Sequence, residues 1–373
     1  MDTKVVNIDP DRPDSGAIRE AAAIVEEGGL VAFPTETVYG IACRVADGPL
    51  ARLSSLKERV EQKHYTLHIG RKEELTRYVP CATLRAQKLV RKVWPGPVTV
   101  VFDLDQEQLD KQRGVLEKQV FENLYKAKSI GIRCPENTIA QELLTHARCA
   151  VVAPSANKAA RPPATDAKAV ISQFAGQIEM ILDGGPCRYK KSSTVVKVAR
   201  AGLTVLRDGA YSPAELMRLS TVRFLFVCTG NTCRSPMAEA MFRKYLAQKL
   251  DCELDQVKAM GYMICSAGTM GVAGLPASSE AVAVCASMGI DISGHKSRGL
   301  SKRLVEQSDL VFVMSQVHRE RVLALCPDAA DRCILLDEAG DVPDPIGQSQ
   351  QVYDDCARRI DRAVKKRICE LKI

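Results

Sequence analysis

The sequence has few of the features that are typical of membrane proteins or of metal-binding proteins. No apolar run approaches the roughly 18 residues of a membrane-spanning helix, and no two cysteines have the Cys-x2-Cys spacing typical of zinc sites. There is no internal repeat and no low-complexity tail, and the first residues lead directly into a fold-like pattern without a recognisable signal peptide. We therefore expect a cytoplasmic protein with no membrane partner and no metal site.

The composition limits the remaining classes. The chain has 46% hydrophobic and 26% charged residues, which is typical of a globular protein. Fourteen cysteines without a secretory context argue against a disulfide framework. A length of 373 residues predicts two or three domains. Most of the net charge of +7 precedes residue 220, which suits an anionic ligand such as ATP.

The hydrophobic pattern changes between residues 212 and 221, so we expect one domain at 1–212 and a second at 221–373. In the second domain strands alternate with helices, which predicts an α/β fold with a doubly wound, four-stranded parallel sheet. The predicted strands lie near 222–227, 262–266, 309–314 and 333–336, and the helices near 236–249, 277–288, 316–325 and 351–370.

The first domain is less regular and predicts a mixed α/β sheet. Helices are expected near 16–27, 83–93 and 137–146, with short strands at 30–33, 65–69, 98–102, 130–133, 151–153, 179–182, 194–198 and 203–206. Residues 105–128 form a charged, helix-prone stretch, which is most simply an insertion on the surface.

Residues 224–236 are the most informative segment of the chain. An apolar strand ends at Cys228, a tight loop follows, and Arg234 and Ser235 precede a helix. Because a helix N-terminus has unpaired N–H groups and a partial positive charge, this loop suits a phosphate and favours a thiolate at Cys228. The pattern predicts Cys228 as nucleophile, Arg234 as a bidentate clamp on phosphoryl oxygens, Ser235 as a partner of the sulfur, and Asn231 as a support of the loop backbone.

Such a reaction needs an acid for the leaving group, and Asp344 in the Asp-Pro-Ile-Gly segment is the candidate. Proline after Asp344 favours an extended backbone on a loop. Cys233 lies five residues after Cys228 and is a candidate redox partner that protects the nucleophile, with a simple packed thiol as the alternative.

Residues 222–373 resemble the low-molecular-weight protein phosphatases along the whole domain. The resemblance is carried by the Cys-x5-Arg-Ser loop, Ser266-Ala-Gly268, Gly289-Ile-Asp-Ile-Ser293, Ser308-Asp-Leu-Val and Asp344-Pro345. It implies a cysteinyl-phosphate mechanism and a phosphorylated protein substrate. Thr232 resembles the protein-arginine phosphatases, and Ile346-Gly347 stands where tyrosine-specific members have aromatics, so phosphoarginine is favoured over phosphotyrosine. Arsenate reductases share the loop, but this chain has no cysteine in Val311-Phe-Val-Met-Ser-Gln, where they place a resolving pair.

Residues 10–212 resemble the YrdC-like threonylcarbamoyl-AMP synthases, through Pro34-Thr-Glu-Thr-Val-Tyr-Gly40, Trp94-Pro-Gly-Pro and Pro154-Ser-Ala-Asn157. The resemblance implies a mixed twisted sheet and the synthesis of threonylcarbamoyl-AMP from L-threonine, bicarbonate and ATP for tRNA modification. ATP, with Mg2+, is then a substrate, no bound prosthetic group is expected, and tRNA-modification proteins are candidate partners. The implied threonine-binding residues are Thr35, His68, Arg133 and Ser193, and the implied ATP-binding residues are Lys57, Arg59, Lys63, Ser155, Asn157, Thr165 and Arg207.

Three departures from the family pattern keep other functions open. Glu58 and Val60 replace Gly and Pro around Arg59, and Lys191-Ser192 replaces a Glu-bearing turn. The first half is therefore either a synthase or a non-catalytic nucleotide- or RNA-binding module that regulates the phosphatase. The second half is either a phosphatase or a redox sensor that uses Cys228 and Cys233.

Overall fold

In the computed structural model, which describes residues 2–58, 65–199 and 202–373, the chain separates into two units, Met1–Leu219 and Ser220–Ile373. A helix at Pro213–Ser220 occupies the stretch in which the domain boundary was predicted. The assignment of a separate activity to each unit remains a prediction.

The first unit is built on one ten-stranded mixed sheet, in the order β1-β8-β2-β3-β7-β4-β6-β5-β9-β10. Parallel and antiparallel pairs alternate irregularly along it, as the mixed α/β prediction requires. The strands are β1 (Lys4–Asn7), β2 (Val31–Phe33), β3 (Gly40–Arg44), β4 (Leu67–His68), β5 (Val98–Asp103), β6 (Ser129–Arg133), β7 (Val151–Val152), β8 (Met180–Asp183), β9 (Thr194–Ala199) and β10 (Gly202–Arg207).

Helices cover both faces of this sheet because successive strand residues point to opposite sides. Val31 and Phe33 pack with α1 and α7, whereas Leu30 and Ala32 belong to the larger cluster on the other face. The helices of this unit are α1 (Ser15–Glu26), α2 (Asp47–Leu56), α3 (Leu75–Tyr78), α4 (Leu84–Val93), α5 (Gln106–Val115), α6 (Lys118–Leu124), α7 (Thr138–His146), α8 (Ala167–Phe174) and α9 (Pro213–Ser220), with 3-10 turns at Lys72–Glu74 and Lys126–Lys128.

The expectation that residues 105–128 are a surface insertion is wrong. Leu109 of α5 and Val120 and Leu124 of α6 are buried in the main core cluster, and the hydroxyl of buried Tyr125 donates to the Tyr78 carbonyl at 2.7 Å. The charges that dominate the sequence of this stretch lie on the solvent side of two short amphipathic helices.

The second unit confirms the doubly wound prediction. Its four strands are all parallel in the order β12-β11-β13-β14. The elements are β11 (Val222–Cys228), α10 (Arg234–Leu250), β12 (Tyr262–Gly268), α11 (Ser279–Ser287), α12 (Lys302–Glu306), β13 (Leu310–Val313), α13 (Gln316–Leu325), β14 (Cys333–Leu335) and α14 (Gln350–Glu370), with a 3-10 turn at Pro327–Arg332.

The central strand β11 places the phosphate loop. Phe224 and Phe226 pack on one face against Phe242 of α10 and Phe312 of β13, while Leu225 and Val227 pack on the other face with residues of α12 and α13. Because β11 is buried on both faces, its last residue, Cys228, is fixed at the carboxyl edge of the sheet, where folds of this type bind ligands.

Candidate active sites

Asn231 holds the loop between β11 and α10 in its conformation. It has a left-handed backbone, with φ of 58°, and its side chain is fully buried. Its amide Nδ2 donates to Ser235 Oγ and to Ser266 Oγ, both at 2.9 Å, and its Oδ1 accepts from the Arg298 N–H at 2.8 Å. These bonds satisfy a side chain that would otherwise be costly to bury, so the sequence role assigned to Asn231 has a direct geometric counterpart.

Cys228 lies at the floor of this loop. Its Sγ is 2.9 Å from Ser235 Oγ and accepts from the Asn231 N–H at 3.2 Å. Burial raises the pKa of the Cys228 thiol, while the hydrogen bonds from Ser235 and Asn231 and the charge of Arg234 lower it. The sequence expectation of a ready thiolate is therefore opposed by desolvation of the charged sulfur, which outweighs the loop's donors.

Arg234 and Asp344 meet across this site although they are 110 positions apart. The Arg234 guanidinium donates to the Asp344 carboxylate, to Thr229 Oγ1 at 3.1 Å and to the Val342 carbonyl at 3.0 Å. Arg234 is buried and its Nε has no hydrogen-bond partner. A buried guanidinium with an unsatisfied N–H is a strong site for an oxyanion, because a bound oxygen would supply the missing acceptor.

The two loop thiols have separate partners. Cys233 is buried at the start of α10, and its Sγ lies 3.4 Å from Ser278 Oγ and 3.3 Å from the Tyr353 hydroxyl. Cys228 and Cys233 are both free thiols. Half-buried Thr232 stands between Asn231 and Cys233, with its Oγ1 3.6 Å from Cys233 Sγ. Cys233 is therefore a packed thiol in this structure, and its role as a redox partner of Cys228 stays a prediction.

Two residues of this site were given no role in the sequence analysis, although Ser266 begins one of the segments that carry the resemblance. Ser266 links Asn231 to Glu239, to which its Oγ donates at 2.7 Å. His318 of α13 is buried, with Nε2 2.9 Å from Thr229 Oγ1. Burial, followed by the charge of Arg234, lowers the pKa of His318 to about 4. A lone histidine 89 positions from the loop can be connected to it only once the fold is known.

The first unit contains a cavity of about 600 Å³ at the centre of its sheet. Eight of the residues named from the family resemblance line it: Thr35, Lys57, His68, Arg133, Ser155, Asn157, Ser193 and Arg207. Thr165 lies instead in an adjoining cavity that shares Val38 and Ser192 with the first. Arg59, Val60 and Lys63 fall outside the described residues.

Arg133 is the central cation of this cavity. It donates from Nη2 to Glu36 Oε1 and to Thr37 Oγ1, both at 2.8 Å, and its Nε has no partner. Glu36, which the sequence analysis did not single out, accepts in addition from the Glu136 N–H at 3.1 Å. The buried pair therefore fixes the guanidinium while one N–H remains available for a ligand oxygen.

His68 and Ser193 occupy the same cavity on either side of Arg133. The Nδ1 of His68 donates to the Thr66 carbonyl at 3.1 Å, which leaves Nε2 as an acceptor. Burial, followed by the charge of Arg133, lowers the pKa of His68 to about 3, so the ring is neutral. Ser193 Oγ accepts from Arg207 Nη2 at 2.9 Å, and burial lowers the pKa of Arg207.

Lys57 borders the segment that contains Arg59 and Lys63. Its ammonium contacts the carbonyls of Ser155 and Asn157, and it therefore holds the Pro-Ser-Ala-Asn loop. Glu58 has a φ of 53°, a conformation that glycine adopts more readily. Its carboxylate pairs with Lys158 at 3.2 Å and is 62% exposed, so it is partly neutralised at the rim of the cavity.

The described residues contain no cluster of three or more potential metal-ligating side chains and no helix that is long and apolar enough to cross a membrane. Glu58 is the one carboxylate that lines the main cavity in the described part of the chain.

Comparison with known proteins assigns each unit to a family. A family model for Sua5, YciO and YrdC proteins, described as telomere recombination, matches residues 23–209. A model described as low molecular weight phosphotyrosine protein phosphatase matches residues 223–372.

Individual relatives agree with this division. The threonylcarbamoyl-AMP synthase of Pyrococcus abyssi is 31% identical over 218 residues, which cover 58% of this chain and 61% of that protein. A probable low molecular weight protein-tyrosine-phosphatase of Ralstonia solanacearum, EpsP, is 34% identical over 142 residues, 38% of this chain and 89% of that protein. The structure of P. abyssi Sua5 complexed with L-threonine covers 97% of this chain and 98% of that one, with a TM-score of 0.52 and 20% identity, which shows the fold alone. The chain thus spans 61% of the length of the Pyrococcus synthase that it matches.

Proposed function

The chain belongs to the Sua5/YciO/YrdC family in its first unit and to the low molecular weight phosphatase family in its second, and from this premise we propose that it is a bifunctional enzyme. The first activity is the synthesis of threonylcarbamoyl-AMP from L-threonine, bicarbonate and ATP. The second is the hydrolysis of a phosphorylated protein through a cysteinyl-phosphate. The domains are those at 1–212 and 221–373, and the place of action is the cytoplasm, where tRNA-modification proteins would receive the first product.

The phosphatase proposal rests on the convergence of Cys228, Arg234 and Asp344. When the phosphoryl group enters, the Cys228 thiol passes its proton to the Asp344 carboxylate. The resulting thiolate attacks phosphorus while the bond from phosphorus to the leaving oxygen or nitrogen breaks, and Asp344 gives that atom the proton. Water then attacks the cysteinyl-phosphate, passes a proton to Asp344 and releases phosphate and the thiolate, which Ser235 stabilises. A phosphoryl group that occupies the Arg234 fork displaces the Asp344 carboxylate from it, and this frees the carboxylate to act on the leaving group.

Phosphoarginine is the proposed substrate class in preference to phosphotyrosine. Thr232 is a small, half-buried side chain of the phosphate loop, and exposed Ile346 follows Asp344-Pro345 where an aromatic wall would favour a phenyl ring. We expect wild type to hydrolyse phosphoarginine peptides faster than matched phosphotyrosine peptides, and Thr232→Ile to reverse the order. Thr232→Val replaces the hydroxyl by a methyl group at nearly constant size. It is the matched control that separates the loss of the hydroxyl from the added bulk of isoleucine. An unchanged preference in Thr232→Ile would refute the assignment.

The synthase proposal rests on the cavity of about 600 Å³ and on the unsatisfied Nε of Arg133 inside it. A buried N–H that lacks an acceptor suits the carboxylate of L-threonine, and neutral His68 offers an acceptor beside it. Arg207, Ser155 and Asn157 line the side proposed for ATP, with Thr165, Lys57, Arg59 and Lys63 completing the set named from the resemblance. Mg2+ would enter on the triphosphate, where it neutralises phosphate charge.

Pyrophosphate release is the assay that tests the synthase. We expect release from ATP that requires both threonine and bicarbonate and that is lost in Arg59→Ala. Binding of ATP without turnover would instead support the non-catalytic module.

A further inference from the structure

His318 is a buried titratable residue that the proposed reaction does not use. Its side chain spans two elements, with Nδ1 2.8 Å from Ser315 Oγ at the start of α13 and Nε2 2.9 Å from Thr229 Oγ1 in the phosphate loop. Thr229 Oγ1 in turn accepts from Nη2 of Arg234 at 3.1 Å. A continuous path of three hydrogen bonds thus connects helix α13 to the phosphate-binding guanidinium.

The donors and acceptors along this path run in one direction. Arg234 can only donate, so Thr229 Oγ1 accepts from it and has its single proton left for His318 Nε2. Ser315 Oγ is the N-cap acceptor of α13, so Nδ1 of His318 carries the one proton of the neutral ring and donates it to Ser315 Oγ. Hydrogen bonds aligned in this way polarise and strengthen one another.

The path matters most during turnover. In the structure Nη2 of Arg234 has two side-chain acceptors, Asp344 and Thr229. The proposed reaction moves Asp344 from the guanidinium to the leaving group, and Thr229 is then the side-chain acceptor that continues to hold this arm. A threonine hydroxyl can rotate about χ1, so its usefulness as an anchor depends on a second partner that fixes its direction.

We propose that His318 is a positioning residue of the phosphatase site: it orients the Thr229 hydroxyl, and that hydroxyl holds Arg234 in the plane in which it clamps the equatorial oxygens of the transferring phosphoryl group. The inference rests on the proposed phosphatase function. A helix cap alone would explain the Ser315 contact, but it does not explain why the opposite ring nitrogen reaches Thr229.

Two substitutions of His318 separate these explanations. An asparagine amide can reproduce the position of Nδ1 and so the contact with Ser315, whereas a glutamine amide reaches the position of Nε2 and so Thr229. His318→Asn loses the hydrogen bond that orients the Thr229 hydroxyl. We therefore expect it to lower kcat on an aryl phosphate about tenfold with little change in KM. His318→Gln should retain most of the kcat of wild type, and thermal unfolding of both variants measures the effect on the helix cap.

Thr229 supplies a second pair if the His318 variants fold poorly. Thr229→Val removes the hydroxyl and should reduce kcat as His318→Asn does, whereas Thr229→Ser keeps it and should not. In the double variant Thr229→Val/His318→Asn, the decrease in kcat should equal the larger of the two decreases seen in the single variants, because both residues act through one path.

The turnover of the aryl phosphate by wild type and by Cys228→Ser is measured first. No turnover by wild type, or turnover that survives Cys228→Ser, overturns the phosphatase function and the inference with it. If wild type turns over and Cys228→Ser does not, the inference alone is overturned by a wild-type kcat in His318→Asn, by equal losses in the Asn and Gln variants, or by additive losses in the double variant.

Discussion

Two Arg–Glu ion pairs of the first unit differ in how far their side chains are buried. Arg133 and Glu36 have side chains that are 6% and 2% exposed, whereas Arg188 and Glu136 are 56% and 49% exposed. Removing one partner of a buried pair leaves a desolvated charge, which costs about 3–5 kcal/mol. An exposed pair contributes up to about 1 kcal/mol.

We therefore expect Glu36→Ala to reduce the free energy of unfolding by about 3–5 kcal/mol, and Glu136→Ala by about 1 kcal/mol or less. Trp94, the single tryptophan of the chain, is buried in the same unit, so its fluorescence during urea unfolding reports this unit. Equal effects of the two substitutions would show that the Arg133 pair is not desolvated.

The neutral state of His68 makes the first unit sensitive to acid. Its pKa in the folded chain, about 3, lies below the ordinary histidine pKa of 6.5, because burial and the charge of Arg133 disfavour the imidazolium. Between these values the unfolded chain binds a proton that the folded chain does not, so stability is retained above about pH 6.5 and falls as the pH drops towards 3.

In urea unfolding followed by Trp94 fluorescence, we expect the free energy of unfolding of wild type to fall between pH 6 and pH 4. His68→Gln should remove from that slope a contribution of up to about 1.4 kcal/mol per pH unit. Identical slopes in wild type and His68→Gln would contradict the assignment of a neutral buried ring.

At the scale of elements, Gly268 allows strand β12 to approach the phosphate loop. A Cβ at this position would lie 2.7 Å from the Thr229 carbonyl oxygen and 2.9 Å from the Gly230 carbonyl carbon, both of which are backbone atoms that cannot rotate away. Gly294, which lies elsewhere in the same unit, has no heavy atom within 4 Å of such a Cβ.

We expect Gly268→Ala to displace the loop, to destabilise the second unit by about 1–3 kcal/mol and to lower kcat on an aryl phosphate. Gly294→Ala is the matched control and should leave both quantities near those of wild type. Near-UV circular dichroism and steady-state kinetics measure the two effects. Similar behaviour of the two alanine variants would mean that the close approach of β12 is unimportant.

The regular alternation of the second unit made its four strands predictable from the sequence, because each is a short apolar run followed by an amphipathic helix. The first unit was harder to predict. Strands β1 and β3 and helices α2, α3, α8 and α9 were missed. Strand β1 is mostly exposed, and β3 lies in a continuous apolar stretch without alternation. The many charged residues of the stretch 105–128 also made the buried apolar faces of α5 and α6 hard to recognise in the sequence.

The sequence motifs identified residues on loops and strand ends, including the supporting residue Asn231, but not the supporting residues that lie outside the motifs or were given no role in them. Cys228, Arg234 and Asp344 were named from the loop and the Asp-Pro segment, whereas Glu36 and His318 act through contacts formed only in the folded chain. Thr165, a position taken from the resemblance, lies in the adjoining cavity, and its role in ATP binding remains a prediction.

At the scale of the whole molecule, the proposed bifunctional enzyme has two chemically independent active sites on one chain. The first unit offers a cavity with buried cations and a neutral histidine, and the second offers a thiol beneath an arginine fork. Nothing in either proposed reaction uses a residue of the other unit. Each activity should therefore respond to substitutions in its own unit.

The most direct test is to assay both activities in wild type, Arg133→Lys and Cys228→Ser, using full-length protein. Arg133→Lys keeps the charge but loses the planar fork that pairs with a carboxylate. We predict that Arg133→Lys loses threonine- and bicarbonate-dependent pyrophosphate release and retains aryl phosphate hydrolysis, and that Cys228→Ser does the reverse. Wild-type protein that lacks either activity, or a single substitution that abolishes both, would contradict the assignment of two enzymes to this chain.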